Sequence, residues 1–411
     1  MSEKEITLHY DPYHLPTTQH RAGLAGLLIL INSMEHRNIS PLPIYTRQNG
    51  YYEITFNIKS LVSVFNELYD AKTEERQSRI KYQKQIPKRI EKILDEKTDK
   101  EITIYIYDQV VPRVAFLSSM GMPDIWIKLW QDIMWTTIRG RYLTQIPYRE
   151  RAEGKDVNEA HKLWEQIIKT RKKQEKGEPP TYGISSSLYI GAQDKNAEQV
   201  PFLGRADENL LLHFWPIVMG IYVPEVINDK GETDFGKGYI LVIPDIADHE
   251  GFCDEYPHSI ATMTKELTAY RPRDSVISVP HEGGLEYAYQ LLRLAHANFQ
   301  EKEASWYFTG VEIYWLNKKG NNIHILFYGR IEIDRQILSN YKAVRNRYFH
   351  PLFRQRIITN ILRGSPWYKE FDQLFSVNKS PLFIGSTGRK FQRDVRERFA
   401  LDREGGTIKG D

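Results

Sequence analysis

A chain of 411 residues and 48.3 kDa, 41% apolar and 27% charged, is long enough for two or three globular domains, and its longest apolar run, 22–31, falls well short of the ~20 residues that cross a bilayer, which excludes a membrane-spanning protein. One cysteine, Cys253, excludes an internal disulfide and a multi-cysteine zinc site, and fits a reducing, cytoplasmic compartment. The net charge of +3 is unevenly spread: residues 335–400 hold fourteen Lys/Arg against four acids, Glu370, Asp372, Asp394 and Glu397, a local net of +10. That asymmetry points to a polyanionic partner for the C-terminal part, with a solvated basic surface as the plainer reading.

The pattern opens with a helix capped by Thr17 or Thr18, on which Leu24, Leu27, Leu28, Ile31 and Met34 recur at three- and four-residue spacing. Asn49-Gly50 then sets Ile44-Tyr45-Thr46 against Tyr51–Phe56 as a hairpin. Residues 60–96 read as mixed-charge helix broken near Pro87. Ile102, Ile104 and Ile106 alternate with Thr103, Tyr105 and Tyr107 as a half-buried strand. A tryptophan-rich helix over 123–137 follows, with Trp126, Trp130 and Trp135 read as core rather than as base-stacking groups. Past Arg139-Gly140-Arg141 a charged helical stretch runs to Lys173, and the break at 177–180 is a candidate lobe boundary.

Strands are expected at 187–190, 217–227, 238–243, 275–279, 309–316 and 322–333, with helices at 247–267 and 284–300. Turn chemistry marks hairpins at 228–231 and 317–322. The rest is helical, punctuated by Pro351, Pro366 and Pro381. The fold class expected is therefore α+β: an N-terminal α/β lobe at 1–180, a central α/β lobe with protruding hairpins at 181–334, and a basic, mostly helical region at 335–411.

Catalytic signatures are sparse. Asp245, Asp248, His249 and Glu250 combine residue types that bind metals and leave open a metal-dependent nuclease, but they lie between a strand and a helix, where Asp is an ordinary cap. His281-Glu282-Gly283-Gly284 lacks the second histidine of a zinc-binding helix, and no phosphate loop, nucleophile elbow or dinucleotide fingerprint occurs. No cofactor, metal or catalytic residue is assigned. The nucleic-acid features cohere better. Arg389, Arg393 and Arg396 share one helix face, opposite Phe391, Val395 and Phe399. Arg345, Arg347, Arg354 and Arg356 surround Tyr348 and Phe349, a second cluster suited to phosphate oxygens. For reading base edges, two loops stand out: the hairpin tip with Lys318, Lys319, Asn321 and Asn322, and the loop bearing Gln193, Lys195 and Asn196 ahead of Arg205. Arg139 and Arg141 are further candidates for a nucleic-acid backbone. A scaffold that binds RNA without touching DNA stays open.

Three stretches resemble a known family: Asp11-Pro12-Tyr13-His14-Leu15-Pro16-Thr17-Thr18-Gln19-His20-Arg21-Ala22-Gly23-Leu24-Ala25-Gly26-Leu27; Trp130-Gln131-Asp132-Ile133-Met134-Trp135-Thr136-Thr137-Ile138-Arg139-Gly140-Arg141; and Phe202-Leu203-Gly204-Arg205 running into Leu211-Leu212-His213-Phe214-Trp215-Pro216. They are similar to the Myxan-type large subunit of type I CRISPR effector complexes. The resemblance implies a non-catalytic subunit of Cascade that contacts the protospacer-adjacent motif in target double-stranded DNA, helps open the strands and works beside guide RNA. It also implies handle-capping, backbone and small subunits as partners, and a C-terminal bundle that resembles the small subunit, here either shortened or with that layer supplied by a separate small subunit. Recruited helicase-nuclease or transposition proteins follow from the same resemblance.

Overall fold

A computed structural model describes residues 5–48, 50–82, 86–95, 100–174, 176–177, 180–185, 188–191, 202–228, 232–298, 307–320, 322–378, 382–383 and 388–403. The α+β class is the one observed. The chain begins with β1 (Ile6–Tyr10) and α1 (Thr18–His36), the latter capped as expected by Thr17, whose side chain accepts from the His20 N–H. Strands β2 (Ile44–Gln48) and β3 (Tyr51–Phe56) make the hairpin, and β3 also pairs with β1. Helix α1 is buried along almost its whole length. The signature glycines on it are packing residues: a Cβ at Gly23 or Gly26 would sit 2.1 or 2.2 Å from the carbonyl oxygen of Leu211 or Phe214.

Residues 60–96 are not the helical stretch expected. Helix α2 (Ile58–Leu68) ends early, and the chain becomes β4 (Ala71–Ser78) and β5 (Arg89–Asp95), both antiparallel to the long β6 (Lys100–Pro112) in the order β4-β6-β5. Charged residues on both faces of β4 and β5 hide the two-residue period that a half-buried strand shows. Next come α3 (Ala115–Ser119), α4 (Asp124–Ile133), a π-helical turn at Met134–Ile138, α5 (Tyr142–Ala152) and α6 (Asn158–Gln174). Trp126 and Trp130 are core residues, donating their indole N–H groups to Thr264 O at 2.9 Å and Pro216 O at 2.8 Å.

Short β7 (Tyr182–Gly183) and β8 (Leu203–Gly204) pair across a segment outside the described residues, ahead of α7 (Ala206–Leu211). Residues 188–191 form a turn instead of the strand expected, because Gln19 takes the Ile190 backbone: its Oε1 accepts from Ile190 N at 2.9 Å and its Nε2 donates to Ile190 O at 3.0 Å. Strand β9 (Gly220–Pro224) begins after a 3-10 turn at Trp215–Ile217, followed by the paired β10 (Val226–Ile227) and β11 (Thr233–Asp234). Then come β12 (Tyr239–Ile246), α8 (His249–Ala261), the small hairpin β13 (Leu267–Thr268) and β14 (Arg271–Pro272), β15 (Val276–Ile277), α9 (Pro280–Asn298), β16 (Phe308–Lys319) and β17 (Asn322–Glu332).

Among the described residues the largest sheet runs β15-β9-β12-β16-β17, antiparallel except for β15 with β9. Its side chains alternate between two helices. Val311, Ile313 and Ile331 face Gly284 of α9, while the Tyr314 hydroxyl lies 3.5 Å from Gln19 Nε2 of α1. Beyond it lie α10 (Arg335–Val344), α11 (Pro351–Leu362), α12 (Phe371–Val377) and α13 (Arg389–Arg403), the helical region expected. One hydrophobic cluster runs from Ile6 to Phe391, so the three regions share a core. No helix among the described residues is long and apolar enough to cross a membrane.

Candidate nucleic-acid interface

The long hairpin is tighter than its sequence suggests. Strands β16 and β17 pair as far as Lys319 opposite Asn322, which leaves a two-residue turn with Gly320 at φ +61°, a conformation glycine adopts without cost. Lys318, Lys319 and Asn322 are exposed at this end. The tip also leans on the body: Lys318 Nζ donates to Gly140 O at 3.4 Å, next to exposed Arg141. Asn321, Gln193, Lys195 and Asn196 lie outside the described residues.

The π-helical turn that precedes Gly140 contributes Trp135 and Thr136 to the wall of a groove of about 1040 Å³ between α4 and the β4-β6-β5 sheet. Arg37, Lys72, Arg76, Arg113 and Lys128 line it against Glu74 and Asp132. Several of these charges are balanced locally: Arg37 pairs with Glu67, Lys72 with Glu74 at 2.6 Å, and the Tyr239 hydroxyl donates to Asp132. The excess is still positive, and Thr136 of the groove wall lies beside Gly140, which the tip lysine reaches. Sequence reading misses the groove because β4, which supplies Lys72, Glu74 and Arg76, is expected as helix, so its pairing with β6 is not in view.

The two arginine clusters of the C-terminal region part company. Glu282 and Glu286, one turn apart on α9, are buried at 0% and 2% exposure. Arg345 donates to Glu286 through Nε at 2.7 Å and Nη2 at 2.5 Å and to Asp274 at 2.6 Å, and the Tyr341 hydroxyl donates to Glu286 at 2.8 Å. Arg354 pairs with Glu282, which also accepts from Ser278 N at 2.7 Å. Burial pushes the Glu282 carboxyl above its usual range. Arg356 bonds Glu370 at 2.5 Å, and Arg347 is half-exposed, 3.8 Å from Glu397. The cluster expected on the surface is thus largely an internal clamp between α9, α10 and α11. The two glutamates four residues apart, set among Gly283, Gly284, Leu285, Tyr287 and Ala288, are the signal that would have found it.

The stripe on α13 keeps its expected place. Arg389, Arg393 and Arg396 are exposed and Phe391 is buried, its ring 5.1 Å from His350 and 4.9 Å from Phe383. Arg393 lies 4.4 Å over the Phe349 ring. Buried Asp394 accepts from Phe349 N at 2.8 Å and His350 N at 2.7 Å, which ties α13 to the start of α11. Phe399 departs from the expected apolar face: it is exposed, edge-on to Trp367 at 5.2 Å. Arg205 turns back on its own helix, bonding Asp207 at 2.7 and 3.1 Å.

The acidic cluster has structural occupations. Asp245 sits between Arg21 at 2.5 Å and Arg330 at 2.6 Å; burial would raise its pKa, but the two guanidinium groups hold it below the usual value. Asp248 caps α8, and the His249 ring meets the Arg21 carbonyl at 3.0 Å. Among the described residues no three His, Cys, Asp or Glu side chains are grouped to hold a metal ion. Cys253 is buried, and burial pushes its thiol far up.

Compared with known families, residues 43–301 match the type I-B CRISPR Cas8b N-terminal domain and residues 308–409 the type I-B CRISPR Cas8b C-terminal domain. The junction between the two falls at the start of β16. No curated protein matches the chain.

Proposed function

Because the chain belongs to the type I-B CRISPR Cas8b family and is thus a large subunit of a type I Cascade complex, we propose that it reads the protospacer-adjacent motif of target duplex DNA and holds backbones without breaking bonds. What supports this most is the reach of Lys318 from the hairpin tip to Gly140 O, 3.4 Å away, with exposed Lys319 and Asn322 on the same tip and Thr136 of the groove wall beside Gly140. A two-stranded ribbon bearing amide and ammonium groups fits a DNA groove and can donate to base edges, while Arg76 and Lys128 supply sequence-independent attraction along the adjoining channel. The α13 stripe adds a second backbone contact. On this reading guide RNA is a further ligand, the handle-capping, backbone and small subunits are neighbours, and a helicase-nuclease or transposition proteins act on the opened target.

The test is binding of the guide-loaded complex, with and without this chain, to target duplexes randomised beside the protospacer. Chain-dependent enrichment of a short flanking motif is expected, and Lys318→Ala combined with Asn322→Ala reduces the enrichment about tenfold, in line with the ~1–3 kcal/mol that one base-edge pairing is worth. Equal binding without the chain overturns the reading. A loss that is the same for every flanking sequence reassigns the tip to backbone contact.

A further inference from the structure

The turn between α4 and α5 presents a different side chain from the one its sequence points to. Arg139, expected at a nucleic-acid backbone, is buried, with the Tyr69 hydroxyl as a hydrogen-bond partner. Tyr142, the first residue of α5, is 66% exposed, yet its ring is held in place. The Arg149 guanidinium, two turns further along the same helix, lies over that ring at 4.8 Å and over the Trp135 ring at 5.8 Å. Arg149 is fixed in turn: its Nη2 donates to Gln145 Oε1 at 3.1 Å, and Gln145, itself buried, donates through Nε2 to Trp135 O at 3.3 Å. Buried Tyr148 meets the Trp135 ring edge-on at 6.3 Å.

Trp135, Arg149 and Tyr142 thus form a ring, cation and ring in series, and the outer member stands in water. The guanidinium covers one face of the Tyr142 ring, and an exposure of 66% leaves the other face open. A ring whose rotamer is already fixed accepts a flat partner with little further ordering cost. The setting says which flat partner. Trp135 belongs both to this series and to the wall of the basic groove, where Arg76 and Lys128 lie, and α5 packs on β4 and β6. Two positions before Tyr142, Gly140 O receives Lys318 from the hairpin tip. An aromatic face beside a positively charged channel is the combination that binds single strands: the cations follow the phosphates, and any base stacks on the ring because every base has a π-face.

We propose that Tyr142 is a stacking platform for an unpaired base of a single-stranded nucleic acid, with Arg149 and Trp135 as the residues that position it. The proposal rests on the nucleic-acid reading above but not on motif recognition by the hairpin tip.

The experiment is binding of short fluorescent single strands to the full purified chain, read by anisotropy, with oligothymidine set against a strand of equal length whose residues are abasic, at one salt concentration. Oligothymidine is expected to bind about tenfold more tightly. Tyr142→Ala, at an exposed position that leaves Tm unaltered, removes that advantage and does not change the affinity for the abasic strand. Tyr142→Phe keeps the advantage, since the ring face and not the hydroxyl is used. Arg149→Met, which takes the support from beneath the ring, gives a smaller loss, again confined to the strand that carries bases. Oligouridine in place of oligothymidine separates the sources: the same dependence on Tyr142 means that the platform accepts either sugar, and dependence with one strand alone names DNA or RNA. If Tyr142→Ala weakens both strands alike, or neither, the ring does not stack on bases and the proposal falls; in the second case, poorer incorporation of the variant into the assembled complex reassigns the ring to a subunit contact. Equal binding of the abasic strand and oligothymidine by the wild type also overturns this proposal and leaves the backbone contacts of the groove standing. If neither strand binds, those contacts fail with it, and the motif-reading test on the guide-loaded complex remains separate.

Discussion

The two arginine groups of the C-terminal region carry the same charge on similar helices and end in opposite environments. Arg345 and Arg354 lie between α9 and its neighbours, locked to Asp274, Glu282 and Glu286, whereas Arg389, Arg393 and Arg396 look outward from α13. A local net charge of +10 is therefore not a measure of surface potential. What separates the groups is the address of the compensating acids: those for the first lie on the preceding lobe, out of sight of any count made within residues 335–400. Buried, these ion pairs fix how the helices seat; exposed, the stripe keeps its charge available to a partner.

The comparison breaks most sharply under mutation. Arg354→Ala leaves the Glu282 carboxylate buried and unpaired, so a loss of about 3–5 kcal/mol in unfolding free energy is expected, read as a fall in the denaturation midpoint; Arg354→Ala together with Glu282→Gln recovers part of it. A midpoint shift below about 0.5 kcal/mol, the range for surface substitutions, would erase the distinction between the groups.

Acid tests the same region by another route. Burial, assisted by the Lys390 charge, depresses His350 to about 4, and burial holds His20 and His249 near 4 as well. A histidine that stays neutral when folded but protonates near 6.5 when unfolded contributes its full stability above pH 6.5. That contribution is lost as pH falls toward 4, at up to about 1.4 kcal/mol per pH unit for each residue. Urea midpoints measured from pH 7 to pH 5 should fall, and His350→Gln should flatten the slope by one residue's share. A flat profile for the wild type would show that these rings titrate in the fold as they do in the unfolded chain.

The smallest effect on stability, and the most informative on function, belongs to the stripe. Alanine at Arg389 and Arg396 together, with Arg393 kept because it also pairs with buried Asp394 at 3.3 Å, should leave the denaturation midpoint nearly unchanged yet lower the slope of log affinity against log salt by roughly 0.7–0.9 for each phosphate group that the helix no longer neutralises. Parallel salt plots for variant and wild type would make α13 a bystander.

Much of this fold is legible in the sequence where one physical signal dominates. Thr17 and the apolar stripe behind it define α1, Asn49-Gly50 defines a hairpin, and the prolines at 351 and 366 delimit helices as expected. The failures occur where tertiary partners decide. Lys72, Thr73, Glu74, Glu75 and Arg76 carry no helix or strand period, and become strand because β6 offers a long edge. The turn at 188–191 exists because of Gln19, some 170 positions earlier in the chain. For the site, the residue types were readable and their exposure was not: the hairpin tip and α13 stripe are on the surface, whereas Arg139, Arg345 and Arg354 are buried and differ in whether a carboxylate answers them.

Helix α9 is shared property. One side of it packs through Gly284 onto Val311, Ile313 and Ile331 of the β16–β17 ribbon, and its Glu282 and Glu286 grip the C-terminal helices. Close-packed interiors transmit displacement instead of absorbing it. The base of the ribbon and the C-terminal helices are therefore seated on one and the same helix, so a substitution at Gly284 or Glu282 disturbs both at once.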